Sequence, residues 1–185
     1  MIRRRIVGAS AVLLAGLSGL PGAALGQSKE PFAFGVALPT TGPAAPFGLD
    51  QVQALEWAIA DINASGGAGG RPLKAVVLDS QGKPQVGVDV VTRLISVEKT
   101  PLVITAFSSV VAAVAPIVNR AKVLTLVIGA NSPRIASMGD YVYTTYPLAD
   151  VDLTLLAKYA RQELKKATAA ILYINDEAGV YGSRV

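Results

Sequence analysis

The chain has 185 residues, 51% of them hydrophobic, and contains neither cysteine nor histidine. That excludes disulfides, thiolate nucleophiles and a lipid-bearing cysteine, and it removes the commonest general base and metal ligand, so no serine–histidine triad or ordinary zinc site is available. The formal net charge of +4 owes most to Arg3, Arg4 and Arg5: residues 1–26 hold three of the 17 basic residues and none of the 13 acidic ones, so the remainder carries only +1 and has no electrostatic footprint for nucleic acid.

Residues 1–26 read as an export signal that is removed. Three arginines precede an apolar stretch from Ile6 to Leu20, and Ala24-Leu25-Gly26 offers small side chains ahead of Gln27. The apolar stretch falls short of the roughly 20 residues that span a bilayer, and Pro21-Gly22 breaks it. The expected location is the periplasm, with no stable membrane insertion of the mature chain. The export route stays open.

Strand-length apolar runs then alternate with helix-period segments. Strands are predicted at 32–38, 73–79, 102–106 and 124–128, with a short fifth at 141–145. Apolar residues at Leu49, Val52, Leu55, Ile59 and Ile62 stripe a helix over 49–63, and Val86, Val90, Leu94 and Val97 stripe another over 85–98. A third helix is predicted over 110–121. Apolar strands separated by single helices indicate a parallel sheet covered on both faces, so the fold class is α/β, doubly wound. The four glycines and one alanine of 66–70 read as a helix stop and turn.

Residues 27–146 form a first lobe on this reading. A second unit begins after Tyr146-Pro147, with a helix over 150–166 and a buried strand over Ala169–Ile174. One helix and one strand are too little for an independent core. The second lobe, 147–185, is therefore expected to be the start of something longer, since the sequence stops at Val185 with no terminating pattern.

In doubly wound sheets, ligands bind outside the carboxyl ends of the strands. Four loops hold that position: 39–48, 80–84, 107–109 and 129–133. The first is no dinucleotide fingerprint, because Gly42 and Gly48 are too far apart, and Gly82-Lys83-Pro84 is no Walker motif. No cofactor is expected. Ser108 and Ser109 stand where a strand gives way to a helix. One of them caps that helix, or a hydroxyl and free N–H groups there receive an anionic ligand group; the two are compatible, since one serine can cap while the other binds. Phe47 is either core or ligand contact, and Tyr181 either a surface aromatic or a ligand contact. Asp79 is expected to accept loop N–H groups rather than to act as a catalytic carboxylate, and the chain is not expected to be an enzyme.

Several segments together resemble a known family. They are F-G-V-A-L-P-T-T-G-P over 34–43, Phe47-Gly48, A-D-I-N-A-S-G-G over 60–67, Leu78-Asp79-Ser80, Phe107-Ser108-Ser109, Ala130-Asn131-Ser132-Pro133, Asn175-Asp176 and Tyr181-Gly182. The chain resembles the branched-chain amino-acid binding family of periplasmic (type I) solute-binding proteins served by ABC transporters. The resemblance implies two lobes, a small-molecule ligand such as an amino acid or a related carboxylate or amide, and an ABC-transporter membrane permease as partner. A ligand-sensing module of the same fold is the other reading. The resemblance further implies that Ser108, flanked by Phe107 and Ser109, holds a ligand carboxylate through its hydroxyl and N–H. Gly129, Ala130 and Asn131 would then supply a carbonyl and polar contacts, with Phe47 and Tyr181 closing over the ligand. The sequence departs where the family usually has Thr and Tyr, carrying Asn131 and Phe47 instead.

Overall fold

The computed structural model describes residues 30–185, so the export segment 1–26 lies outside it. Five parallel strands form one sheet: β1 (Phe32–Leu38), β2 (Leu73–Asp79), β3 (Leu102–Thr105), β4 (Leu124–Val127) and β5 (Val142–Thr144). Their order is β2-β1-β3-β4-β5. Every pairing among these five strands is parallel, with Val36 opposite Val77 on one side and Ile104 on the other. The expected α/β, doubly wound class is therefore the fold observed.

Successive side chains of a strand point to opposite faces, and β1 shows the division. Phe34, Val36 and Leu38 pack with Ile104 and with Val52, Leu55 and Ile59 of α1 (Ala45–Ala64). On the other face Ala37 and Val103 meet Val91 and Leu94 of α2 (Pro84–Ser96), and Val110, Val111, Val114 and Val118 of α3 (Ser108–Ala121). Two glycines permit this second layer. A Cβ on Gly35 would stand 2.8 Å from Leu94 Cδ1, and one on Gly87 would stand 2.6 Å from Val110 Cγ1.

β1 and β2 have the predicted bounds, and the other strands lie within theirs. The glycine run turns the chain as expected, with Gly66 and Gly67 at positive φ and Gly67 N donating to Ile62 O at 2.8 Å. The helices start earlier than the apolar stripes indicate, because proline opens α2 and the apolar period begins only after the first turn. Burial on both faces does not extend across the whole sheet. β2 is an edge strand and half-exposed, and Leu49 and Ile62 of the α1 stripe are open to solvent.

One element differs in kind. Beyond β5 come a fourth helix, α4 (Ala149–Gln162), and a fifth, α5 (Glu177–Gly182). The apolar run Ala169–Ile174 between them is irregular, not the buried strand its composition predicts; Ile171 and Ile174 are 66% and 76% exposed. A strand exists through its neighbours' N–H and C=O groups, and among the described residues no strand lies beside this segment. Leu156 and Leu164 of the helical stripe are exposed for the same want of a partner layer. In hydrogen exchange, amides of 169–174 should exchange orders of magnitude faster than those of Leu102–Thr105. Equal protection in the isolated chain would contradict this account.

Candidate functional site

The strand order reverses beside β1: the chain steps from β1 to β2 on one side, then crosses to β3 on the other. The loops leaving the carboxyl ends of β1 and β3 therefore part in opposite directions and leave a crevice, the usual ligand position in open α/β sheets.

The loop after β1 is fastened to the loop after β2. Asp79 accepts hydrogen bonds from Thr40 N (2.8 Å), Gln81 N (2.8 Å), Thr41 N and the Thr41 hydroxyl. Partial burial acts to raise the Asp79 pKa, but the Thr41 hydroxyl and the three N–H groups outweigh it and hold the carboxyl below its ordinary value. The role expected of Asp79 is the one it has. Gly48 completes the fastening, since a Cβ there would stand 1.8 Å from Pro39 O. Phe47, in the first turn of α1, is 69% exposed at this end of the sheet.

Phe107, at the junction of β3 and α3, has φ 66° and ψ 117°. An L-residue with a bulky side chain rarely adopts this conformation, and such strain, about 1–3 kcal/mol, persists only where the surroundings enforce it. Here Phe107 N donates to Gly129 O at 3.0 Å, Phe107 O accepts from Val111 N at 2.9 Å, and the ring packs against both core layers. The kink delivers Ser108 to the first position of α3. No side chain caps that helix, so of the two sequence readings of Ser108 the cap is not the one adopted.

The Ser108 hydroxyl, 5% exposed, accepts from Ser132 N at 3.2 Å. A serine hydroxyl has one proton to give, and among the described residues no acceptor takes it. The uncapped N–H groups of α3 lie beside it. Ser108 and the start of α3 therefore present donors, an arrangement suited to an anionic group.

The loop after β4 is joined to this corner by the Phe107–Gly129 and Ser108–Ser132 bonds. Ala130 is buried, and Asn131 O accepts from Ala149 N at 2.8 Å where α4 begins. A 3₁₀ helix, Pro133–Ser137, follows, capped by the Ser132 hydroxyl accepting from Arg134 N at 3.3 Å. The same hydroxyl donates to Glu177 Oε1 at 3.3 Å, and Glu177 pairs with Arg134 Nη1 at 3.3 Å. Arg134 also lies over the Tyr181 ring, 4.5 Å from its centroid, a cation–π contact. The chain of contacts Ser108–Ser132–Glu177–Arg134–Tyr181 thus ties α5 to the first sheet. Asn131 also borders an apolar groove of about 820 Å³ between α4, 169–174 and α5, whose lining does not include Ser108.

Of the residues singled out in the sequence, Phe107 and Gly129 are joined by a direct bond, Ser108 is bonded to Ser132, Ala130 and Asn131 lie on the loop between those two bonds, and Ser109 follows Ser108 in the first turn of α3. Tyr181 lies on α5, which packs against α3, and its ring is stacked by Arg134; Phe47 stands on the neighbouring helix. Sequence reasoning missed Ser132, Arg134 and Glu177. The S-P-R stretch, a serine before a proline at a helix start, was the available signal for Ser132.

The sequence profile of the family described as "Periplasmic binding protein" matches residues 31–184. The chain belongs to that family, whose members are solute-binding proteins. An amino acid binding protein of Pseudomonas aeruginosa is 28% identical over 147 residues, covering 78% of this chain and 39% of its own length. A Rhodopseudomonas palustris ABC-transporter solute-binding protein solved with 4-hydroxybenzoate superimposes with a TM-score of 0.70 at 26% identity, over 84% of this chain and 42% of that one. A leucine-binding protein from Thermotoga maritima has the same fold, with a TM-score of 0.75 at 20% identity over 82% and 43% of the two chains. The chain spans about two-fifths of the length of these relatives. The branched-chain amino-acid binding resemblance and the type I fold are thus as expected.

Asp79 generates a pH prediction. A carboxyl whose folded pKa is depressed contributes stability above its unfolded pKa of about 3.9, and that contribution is lost as pH falls through the folded value. Asp79→Asn should therefore lower stability at pH 7 and flatten its decline below about pH 4, as read from urea unfolding across pH. An unchanged acid slope would show that Asp79 is not the group titrating there.

Proposed function

We propose that this chain is part of an extracytoplasmic solute-binding protein that delivers a small polar ligand, an amino acid or related carboxylate or amide, to an ABC-type importer. On this reading residues 1–26 direct export to the periplasm and are removed. Residues 27–146 form one lobe, and 147–185 begin a second. The chain itself catalyses nothing and needs no cofactor, and its partners are the ligand and the transporter's membrane permease. Among the described residues no helix is long and apolar enough to cross a membrane, and no cluster of acidic side chains fits a metal ion.

The observation that carries the ligand assignment is the Ser108 hydroxyl. Its acceptor side is taken by Ser132 N, its proton is uncommitted, and the uncapped start of α3 lies beside it. A hydroxyl that already accepts a hydrogen bond is polarised into a better donor. A ligand carboxylate bound here receives the Ser108 proton and the first N–H groups of α3. Phe107, Ser109, Gly129, Ala130 and Asn131 line this position, and Phe47 and Tyr181 close it from α1 and α5. The two relatives named for amino acids and the one solved with 4-hydroxybenzoate share one feature in their ligands, a carboxylate on a small body.

Ser108→Ala removes one charge-assisted hydrogen bond, worth about 1.5–3 kcal/mol, so affinity should fall roughly 10- to 150-fold. The same change leaves the buried Ser132 N–H unpaired, costing about 1–3 kcal/mol of stability. Calorimetric titration of the intact protein below its melting temperature separates the two effects. Lowered stability with unchanged affinity would make Ser108 a purely structural residue. Asn131→Thr, restoring the residue usual in the family, should raise affinity for an α-amino acid such as L-leucine if Asn131 steers the pocket away from that class; unchanged affinity would show that it does not.

A further inference from the structure

Gln51 is the group in this molecule that stability alone does not explain. It lies on α1 four residues beyond Phe47, so the two share one helix face at the carboxyl ends of the strands. Its carboxamide is set against the loop after β4. Nε2 stands 2.5 Å from where a Cβ of Gly129 would be, and the Ala106 side chain adjoins the same spot. Its Oε1 is buried and has no hydrogen-bond partner, alone among buried side-chain polar atoms of the described residues.

A buried acceptor without a donor is a penalty that native structures rarely carry, and each instance calls for an explanation. An apolar side chain of the same length would fill the space without that penalty. Such violations of the rules of stable packing concentrate where function requires them. The position fits, because Gly129 and Ala106 flank the junction from which Phe107 and Ser108 emerge. Gly129 has no Cβ, and that absence is what admits the carboxamide to the crevice.

We propose that Gln51 is a specificity-determining residue of the site, whose carboxamide oxygen receives a hydrogen-bond donor, a hydroxyl or ammonium, carried by the same ligand whose carboxylate Ser108 holds. The inference rests on the binding role proposed above and adds a second polar anchor to it. The final torsion of a glutamine side chain is broad, so the oxygen can turn to meet a donor entering beside Gly129. Phe47 on the same helix face then supplies apolar cover between the two anchors.

The test uses matched pairs differing only in the donor: 4-hydroxybenzoate against benzoate, and L-leucine against 4-methylpentanoate. The intact protein should prefer the donor-bearing member of at least one pair. Gln51→Met, of nearly equal length, should reduce that preference by about tenfold while leaving the ligand-free melting temperature unchanged or raised. Gln51→Glu keeps an acceptor and should preserve the preference, which guards against a folding defect in the methionine variant. An undiminished preference in Gln51→Met would overturn the inference and leave the binding role standing. So would a wild-type protein that binds both members of each pair equally. A fall in the ligand-free melting temperature of Gln51→Met with affinities intact would make Gln51 structural and overturn it likewise. Failure of all four compounds to bind the wild-type protein would overturn the binding role and this inference together.

Discussion

The reversal of strand order at β1 is the constraint from which the rest follows. β1 is paired along its whole length with β2 and along its carboxyl half with β3. It is buried from Phe34 to Leu38 and divides the core into its two layers. Because the connection to β2 lies on one face and the return to β3 on the other, the ends of β1 and β3 open a crevice that no helix fills. Every residue of the proposed site is placed by this topology or by a bond to something it places. Asp79 fixes the near wall of the crevice, and Phe107 fixes the far one.

The two walls differ in character. The Asp79 side is an ordinary well-satisfied turn, four donors converging on one carboxylate. The Phe107 side is built from conflicts: a bulky residue at positive φ, a helix without a capping side chain, and a buried glutamine oxygen without a donor. Each costs stability, and all three lie around the junction of Phe107 with Gly129. A fold that tolerates three such features within one corner, while most of its core valines are fully buried, concentrates its departures from good packing where the proposed ligand would correct them.

Much of this architecture was legible in the sequence. Period and length identified all five strands, and β1 and β2 to the residue, because buried parallel strands read as continuous apolar runs. The same rule failed at Ala169–Ile174. Apolar content records a tendency to be covered, and coverage depends on a neighbour that the segment itself does not encode. For Ser108, the sequence left cap and ligand contact as equal readings. Only the through-space bond to Ser132, 24 residues away, shows which half of the hydroxyl is already occupied. Gln51 carried no signal at all: a glutamine in the second turn of an amphipathic helix is unremarkable until Gly129, 78 residues on, is brought beneath it.

The bond network that joins α5 to the 3₁₀ helix has a thermodynamic consequence. Glu177, whose side chain is 13% exposed, is held at once by the Ser132 hydroxyl and Arg134, while Arg134 covers the Tyr181 ring. Drawing α5 away strands a carboxylate and uncovers an aromatic, and it frees the one hydroxyl that caps the helix following Asn131. The backbone of Ser132 is meanwhile the donor that polarises Ser108. If the Ser108 corner takes an anion as proposed, its occupancy and the docking of α5 are linked equilibria, and linkage is reciprocal. On that proposal, an ion or residue that competes for Glu177 acts on the anion at the far end of the network without touching it.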